Sequence, residues 1–184
     1  MLNRFARAGI TRTFEPLARF LLRLGVSPDT VTVIGTLGVV AGALLFFPRG
    51  ELLWGTLVVT AFVFSDNVDG IMARLSGRSG AWGAFLDSTL DRLGDAAIFG
   101  GLAIWYARGG DSPQAAGLAL LCLVLGNVVS YARARAEGLG MRADVGIAER
   151  AERLVAVLVA AGLTGLLDLP ATLLVVVLAL LAIA

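Results

Sequence analysis

Apolar positions along the chain gather into six long runs, each closed off by a short cluster of Gly, Pro or charged residues. They fall at roughly Val31–Phe47, Leu52–Arg74, Ala81–Ala107, Pro113–Glu137, Leu154–Leu167 and Ala171–Ala184. Runs of this length, greasy on all sides, predict membrane-crossing helices, so the expected fold is an all-α integral membrane protein with six transmembrane helices. The last run has 14 residues. At 1.5 Å per residue it would reach only about 21 Å across a hydrocarbon core of about 30 Å, which raises the expectation of a chain continuing past Ala184.

Ahead of these runs the pattern is different. Residues 1–26 mix Arg4, Arg7, Arg12, Arg19 and Arg23 with Leu2, Phe5, Ile10, Phe14, Leu17, Phe20, Leu21 and Leu24. On a helical wheel most of the apolar residues fall to one side, which predicts an amphipathic helix lying in the membrane interface, interrupted or restarted at Pro16. A signal peptide would need an apolar core free of Arg. Ser27 and Pro28 read as the N-cap and first position of the next helix. The expected organisation is a juxtamembrane segment over 1–26 followed by one six-helix transmembrane catalytic domain over 27–184.

Charge then orients the bundle. The N-terminal arginines, Arg74 and Arg78, and Arg133, Arg135, Arg142, Arg150 and Arg153 fall on one side, against Arg49 and Arg108 on the other. The positive-inside rule makes the richer side cytoplasmic and the chain a multi-pass protein of the cell's inner membrane.

Composition narrows the chemistry. Of 184 residues, 58% are hydrophobic, and the mean hydropathy is +0.85, well above soluble domains, in which about half the residues are apolar. Every one of the 15 basic residues is Arg, and there is no Lys or His. A histidine base, a Ser-His-Asp triad and a lysine Schiff base are therefore excluded, and proton transfer and metal binding fall to carboxylates. Cys122 is alone and makes no internal disulfide. No nucleic-acid partner is expected.

Five carboxylates stand out because each costs about 2.5–3.5 kcal/mol at membrane depth. Asp66 and Asp69 are spaced i, i+3 near the cytoplasmic end of the second run, and Asp87, Asp91 and Asp95 are spaced i, i+4, i+8 in the third. Each set makes a stripe on one helical face, and the short connection LSGRSG makes the two helices antiparallel neighbours with the stripes facing. Converging carboxylates repel unless cations neutralise them, and oxygen-only ligands suit Mg²⁺, Mn²⁺ or Ca²⁺. The competing explanation is structural ion pairing with Arg74, Arg78 and Arg92, and for Asp95 the two stand level. Against it for the other four, Gly70, Ala73 and Gly83 strip the neighbouring wall of side chains, so that a bulky group can approach the backbone.

Asp66-x-x-Asp69-Gly70-x-x-Ala73-Arg74, eight residues, then Gly83-x-x-x-Asp87-x-x-x-Asp91 resembles the full signature of the CDP-alcohol phosphotransferases. The resemblance implies transfer of a substituted phosphate from a CDP-linked lipid to an alcohol, with release of CMP. It further implies Asp66, Asp69, Asp87 and Asp91 as ligands of Mg²⁺ or Mn²⁺, two ions in all, with Asp91 also the general base. Gly70, Ala73, Arg74 and Gly83 would hold the CDP-lipid, joined by Asp29 and Thr32 at the start of the first span. Homodimerisation is the family's habit, and Phe99-Gly100-Gly101-Leu102-Ala103 would allow the close helix contact it needs.

The acceptor is read from arginine. Arg133 and Arg135 end the fourth run, and Arg150 and Arg153 open the fifth, on the same side of the membrane as the acids. Guanidinium groups match phosphate bidentately, so this cluster would hold a phosphorylated acceptor, although clustered Arg at span ends also binds anionic lipids. Ser-Pro-Asp-Thr-Val-Thr at residues 27–32, Leu-Asp-x-Thr-x-Asp-Arg at 86–92 and the two arginine motifs resemble the actinobacterial members that use inositol phosphate. The expected reaction joins CDP-diacylglycerol and myo-inositol phosphate to give phosphatidylinositol phosphate. The alternatives are phosphatidylglycerophosphate synthesis from glycerol 3-phosphate, whose enzymes more often carry Lys where this chain has Arg92, and, in another class, an ion transporter.

Overall fold

The computed structural model describes residues 2–77, 80–110, 112–143, 150–167 and 172–183, with the side chains of 2–10 and 183 outside that description. Among these residues the only regular structure is helical: α1 Leu2–Arg23, α2 Pro28–Phe46, a 3-10 turn Phe47–Arg49, α3 Leu52–Val63, α4 Ser65–Ser76, α5 Ala81–Arg108, α6 Pro113–Gly138, α7 Arg150–Leu167 and α8 Thr172–Ile183. Contacts divide the chain into two units, residues 1–40 with 59–94, and residues 41–58 with 95–184.

In the first unit, Ser27 Oγ accepts the Thr30 N–H at 3.1 Å, so α2 starts at Pro28 as its capping sequence predicts. Helix α1 differs from expectation because it runs unbroken through Pro16. Proline removes one donor and crowds one turn, but α1 also packs along α4, and that contact outweighs the local cost. Ala18, fully buried, meets Val68, Ile71 and Met72 of α4, with Phe14, Leu21, Leu22, Val26 and Val31 around them.

The second apolar run is one span in the sequence but two helices in the structure, divided at Phe64. Ser65 Oγ donates to the Phe62 carbonyl at 2.6 Å and the Asn67 N–H bonds Phe64 O at 3.1 Å, a tighter turn that interrupts the regular ladder. The break falls two residues before Asp66. Helix α4 then ends at Gly77, which takes φ +67° and returns its N–H to Ala73 O, a conformation costly for any residue with a Cβ.

In the second unit small residues set the packing. A Cβ on Gly101 would stand 2.8 Å from Ala43 O, and one on Gly165 would stand 2.6 Å from the Leu53 nitrogen, so these helices touch backbone to backbone. Ser112 caps α6 by accepting the Ala115 N–H at 3.3 Å. Helix α8 packs on both α6 and α7, burying Leu174 and Leu178.

Of the six expected spans, three are long and apolar enough to cross a membrane among the described residues: Pro28–Arg49, Leu52–Ser76 and Pro113–Gly138. The others fall short for physical reasons. Helix α5 has 28 residues but carries Asp87, Asp91, Arg92 and Asp95; α7 begins four residues earlier than expected and so takes in Arg150, Glu152 and Arg153; α8 has only 12 residues. Residues 168–171 and Ala184, part of the expected sixth run and its approach, lie outside the described residues, as does Arg78.

Candidate active site

Three elements of the first unit supply the acidic face: the start of α2, α4 immediately after the Phe64 break, and the first half of α5. Asp69 is 6% exposed and Thr32 7% exposed, and Thr32 Oγ1 donates to Asp69 Oδ2 at 2.5 Å. The same hydroxyl lies 3.2 Å from Pro28 O, its own helix's carbonyl one turn back. A short hydrogen bond to a buried carboxylate fixes its rotamer and meets part of its need for donors. Thr32 is thus joined to a motif carboxylate, in addition to its expected place beside the cytidine.

Two of the other acids act on this pair from α5. Asp87 and Asp91 from α5 lie close enough to act electrostatically on Asp69. Asp66 and Asp91 are half-buried and Asp87 is exposed. Arg92 Nη2 lies 4.0 Å from Asp91 Oδ2, at the outer limit of an ion pair. No three acidic, Cys or His side chains among the described residues already close on a common point. The donor set nevertheless suits a hard divalent cation, being all oxygen and drawn from two helices, with the open backbone of glycine beside it.

That openness is measurable. A Cβ built on Gly83 meets nothing within 4 Å, and one built on Gly70 meets only Arg74 Nη1 at 3.5 Å. Neither glycine is needed for helix packing or for a positive φ, so the vacant space is available to a ligand. Ala73 is half-buried and Arg74 exposed on the same helix.

Asp29 is fixed by a residue that sequence reasoning missed. Trp82 Nε1 donates to Asp29 Oδ2 at 3.1 Å, tying the start of α5 to the start of α2, and the Trp82 and Phe85 rings lie 5.8 Å apart. The signal available beforehand was an indole next to Gly83, one residue into a helix that starts at the same level as Asp29.

In the second unit the four arginines separate into two pairs. Arg150 and Arg153 line a cavity with Asp95, Cys122, Gly126 and Asn127, and Arg153 Nη1 would lie 3.6 Å from a Cβ on Gly126. Its interior admits about one water, so an acceptor could reach these groups only if it opened. Arg133 and Arg135 are exposed on α6, with Arg133 Nε 3.0 Å from Glu137 Oε1, a solvated pair of little energetic weight. Asp95, whose role the sequence leaves open, is bound by Arg150.

Three membrane-length apolar helices and an oxygen-rich acidic face beside open glycines fit a membrane-embedded phosphotransferase. Residues 25–184 match the family CDP-alcohol phosphatidyltransferase, and the chain belongs to it. Among its relatives, the phosphatidylinositol phosphate synthase of Streptomyces avermitilis is 62% identical over 167 residues, 90% of this chain and 68% of that one. That of Mycolicibacterium smegmatis is 51% identical over 164 residues, 89% and 72% of the two chains. Two crystal structures of the Mycobacterium tuberculosis phosphatidylinositol phosphate synthase share the fold. The one with CDP-DAG bound has a TM-score of 0.89 at 46% identity and covers 94% of this chain and 87% of its own. The one in complex with manganese and citrate has a TM-score of 0.87 at 45% identity, covering 93% and 82%.

Proposed function

We propose that this enzyme transfers the phosphatidyl group of CDP-diacylglycerol to a hydroxyl of myo-inositol phosphate, giving phosphatidylinositol phosphate and CMP. The observation that carries the reading is the acidic face itself, in which all eight signature positions are present and Gly70 and Gly83 open onto vacant space. Its relatives' names, and the CDP-DAG bound to one of them, support the choice of donor and acceptor.

The acceptor hydroxyl attacks the phosphorus that carries diacylglycerol. A new P–O bond forms, the bond from that phosphorus to the oxygen of CMP breaks, and CMP leaves with the electron pair. Asp91, half-buried beside Arg92, takes the hydroxyl proton. Thr32 keeps Asp69 turned into the site, while Gly70, Ala73 and Gly83 leave the backbone open to the cytidine, and Asp29, held by Trp82, and Arg74 flank it. Asp66, Asp69, Asp87 and Asp91 would hold Mg²⁺ or Mn²⁺, two ions in the full site, and when bound these neutralise the pyrophosphate and the charge that develops on it. A manganese-bound relative supports this. Arg133, Arg135, Arg150 and Arg153 would receive the acceptor phosphate.

The enzyme would sit in the inner membrane as a homodimer of six-span protomers, its site facing the cytoplasm. Residues 1–26 would lie along the membrane surface, and residues 27–184 would form the catalytic domain. Purified protein supplied with CDP-diacylglycerol and Mg²⁺ should release CMP with inositol phosphate and not with free inositol. Release with glycerol 3-phosphate and none with inositol phosphate would overturn the acceptor while keeping the family chemistry.

A further inference from the structure

Asp95 stands one turn beyond Asp91 on α5, outside the family signature. Its carboxylate is engaged by the first residue of α7: Arg150 Nη2 lies 2.9 Å from Oδ1, and Arg150 Nε lies 3.1 Å from both oxygens. The side chains are 14% and 28% exposed. Together they form part of the wall that Arg153, Gly126 and Asn127 complete.

The cavity holds about one water as it stands, and once it opened a carboxylate in its wall would repel an entering phosphate unless its charge were engaged. Here a guanidinium covers it through its side edge, the fork-to-fork geometry that gives direction as well as attraction. An arginine side chain has several rotatable bonds to immobilise, and one already clamped by a carboxylate loses less freedom when a phosphate arrives. Gly126 borders the same wall, where a Cβ would make ordinary contact with the Arg153 guanidinium at 3.6 Å.

We infer that Asp95 is a positioning residue for the acceptor, holding the Arg150 guanidinium in place beside Arg153 so that the acceptor phosphate meets two oriented cations. The inference rests on the assignment of Arg150 to the acceptor phosphate. A purely structural ion pair would share the geometry but would act on stability and on both substrates alike.

The test is a double-mutant cycle on purified protein, with Asp95→Asn, Arg150→Ala and the double variant assayed for the KM of each substrate and for thermal midpoint. Asp95→Asn should raise the KM for inositol phosphate by about tenfold, on the scale of one charge-assisted contact, and leave the KM for CDP-diacylglycerol within about twofold. In the Arg150→Ala background it should add nothing further, since it acts through that arginine. Asp95→Glu, which keeps the charge, should fall between Asn and wild type. An unchanged or lowered acceptor KM in Asp95→Asn, additive effects in the double variant, or equal loss for both substrates would overturn the inference. If Arg150→Ala raises the acceptor KM and Asp95→Asn does not, only this inference falls. If Arg150→Ala leaves it unchanged, the arginine assignment falls with it. Should Asp95→Asn not fold, Asp95→Glu carries the test: a rise confined to the acceptor supports positioning, and any other pattern overturns it.

Discussion

Thr32 and Asp69, 37 residues apart, meet in a buried 2.5 Å hydrogen bond that joins the second turn of α2 to one of the two signature acids of α4. Removing the hydroxyl would leave a buried carboxylate short of a donor, at a cost of about 1.5–3 kcal/mol. Thr32→Val should therefore lower kcat/KM about ten- to hundredfold and raise the metal concentration needed for half-maximal rate, while Thr32→Ser stays near wild type. A metal titration of both variants checks this, and equal behaviour of Val and Ser would remove the bond from the site's machinery.

Asp91 is the proposed base for the acceptor's proton. Asp91→Asn keeps its shape and loses its basicity, so turnover should fall by at least about a hundredfold. CDP-diacylglycerol should still bind, as measured by protection against thermal unfolding. Turnover within about tenfold of wild type would move the base elsewhere.

The carboxylate set gives a plain expectation for metal. Activity should vanish with an excess of chelator and return with Mg²⁺ or Mn²⁺, with Asp66→Asn, Asp69→Asn and Asp87→Asn each shifting the requirement upward. Undiminished CMP release after exhaustive chelation would leave the acids as structural ion pairs.

Two glycine substitutions separate the site from the scaffold. A Cβ on Gly83 meets nothing, so Gly83→Ala should keep its thermal midpoint and raise the KM for CDP-diacylglycerol. A Cβ on Gly101 meets the Ala43 carbonyl at 2.8 Å, so Gly101→Ala should lose about 1–3 kcal/mol of stability through overpacking. Measured side by side in one detergent, the first should move a kinetic constant and the second a melting curve.

Much of this was legible in the sequence because local signals agree with the packing. Ser27-Pro28 starts α2 where its cap predicts, and α5 and α6 begin at the expected Ala81 and Pro113. The acids were legible because charge is costly inside an apolar run and their spacing keeps them on one face. The Phe64 break was not, since the residues around it stay apolar and the cause is one hydroxyl turned onto the Phe62 carbonyl. Unbroken helix through Pro16 was missed for the opposite reason, a tertiary contact outweighing a local penalty. The partner of Asp95 is 55 residues away, and no local pattern carries that information. Nor does composition distinguish spans: α5 has the length to cross a bilayer and the charge of a site, and α8 has the apolarity without the length.

The contact of Ala18 with Val68, Ile71 and Met72 changes what the N-terminal segment is for. A helix that only floated on the membrane surface could be trimmed, tagged or exchanged at little consequence. This one packs along the helix that carries Asp66 and Asp69, so shortening the chain from that end should loosen the support of the proposed site without touching any of its residues.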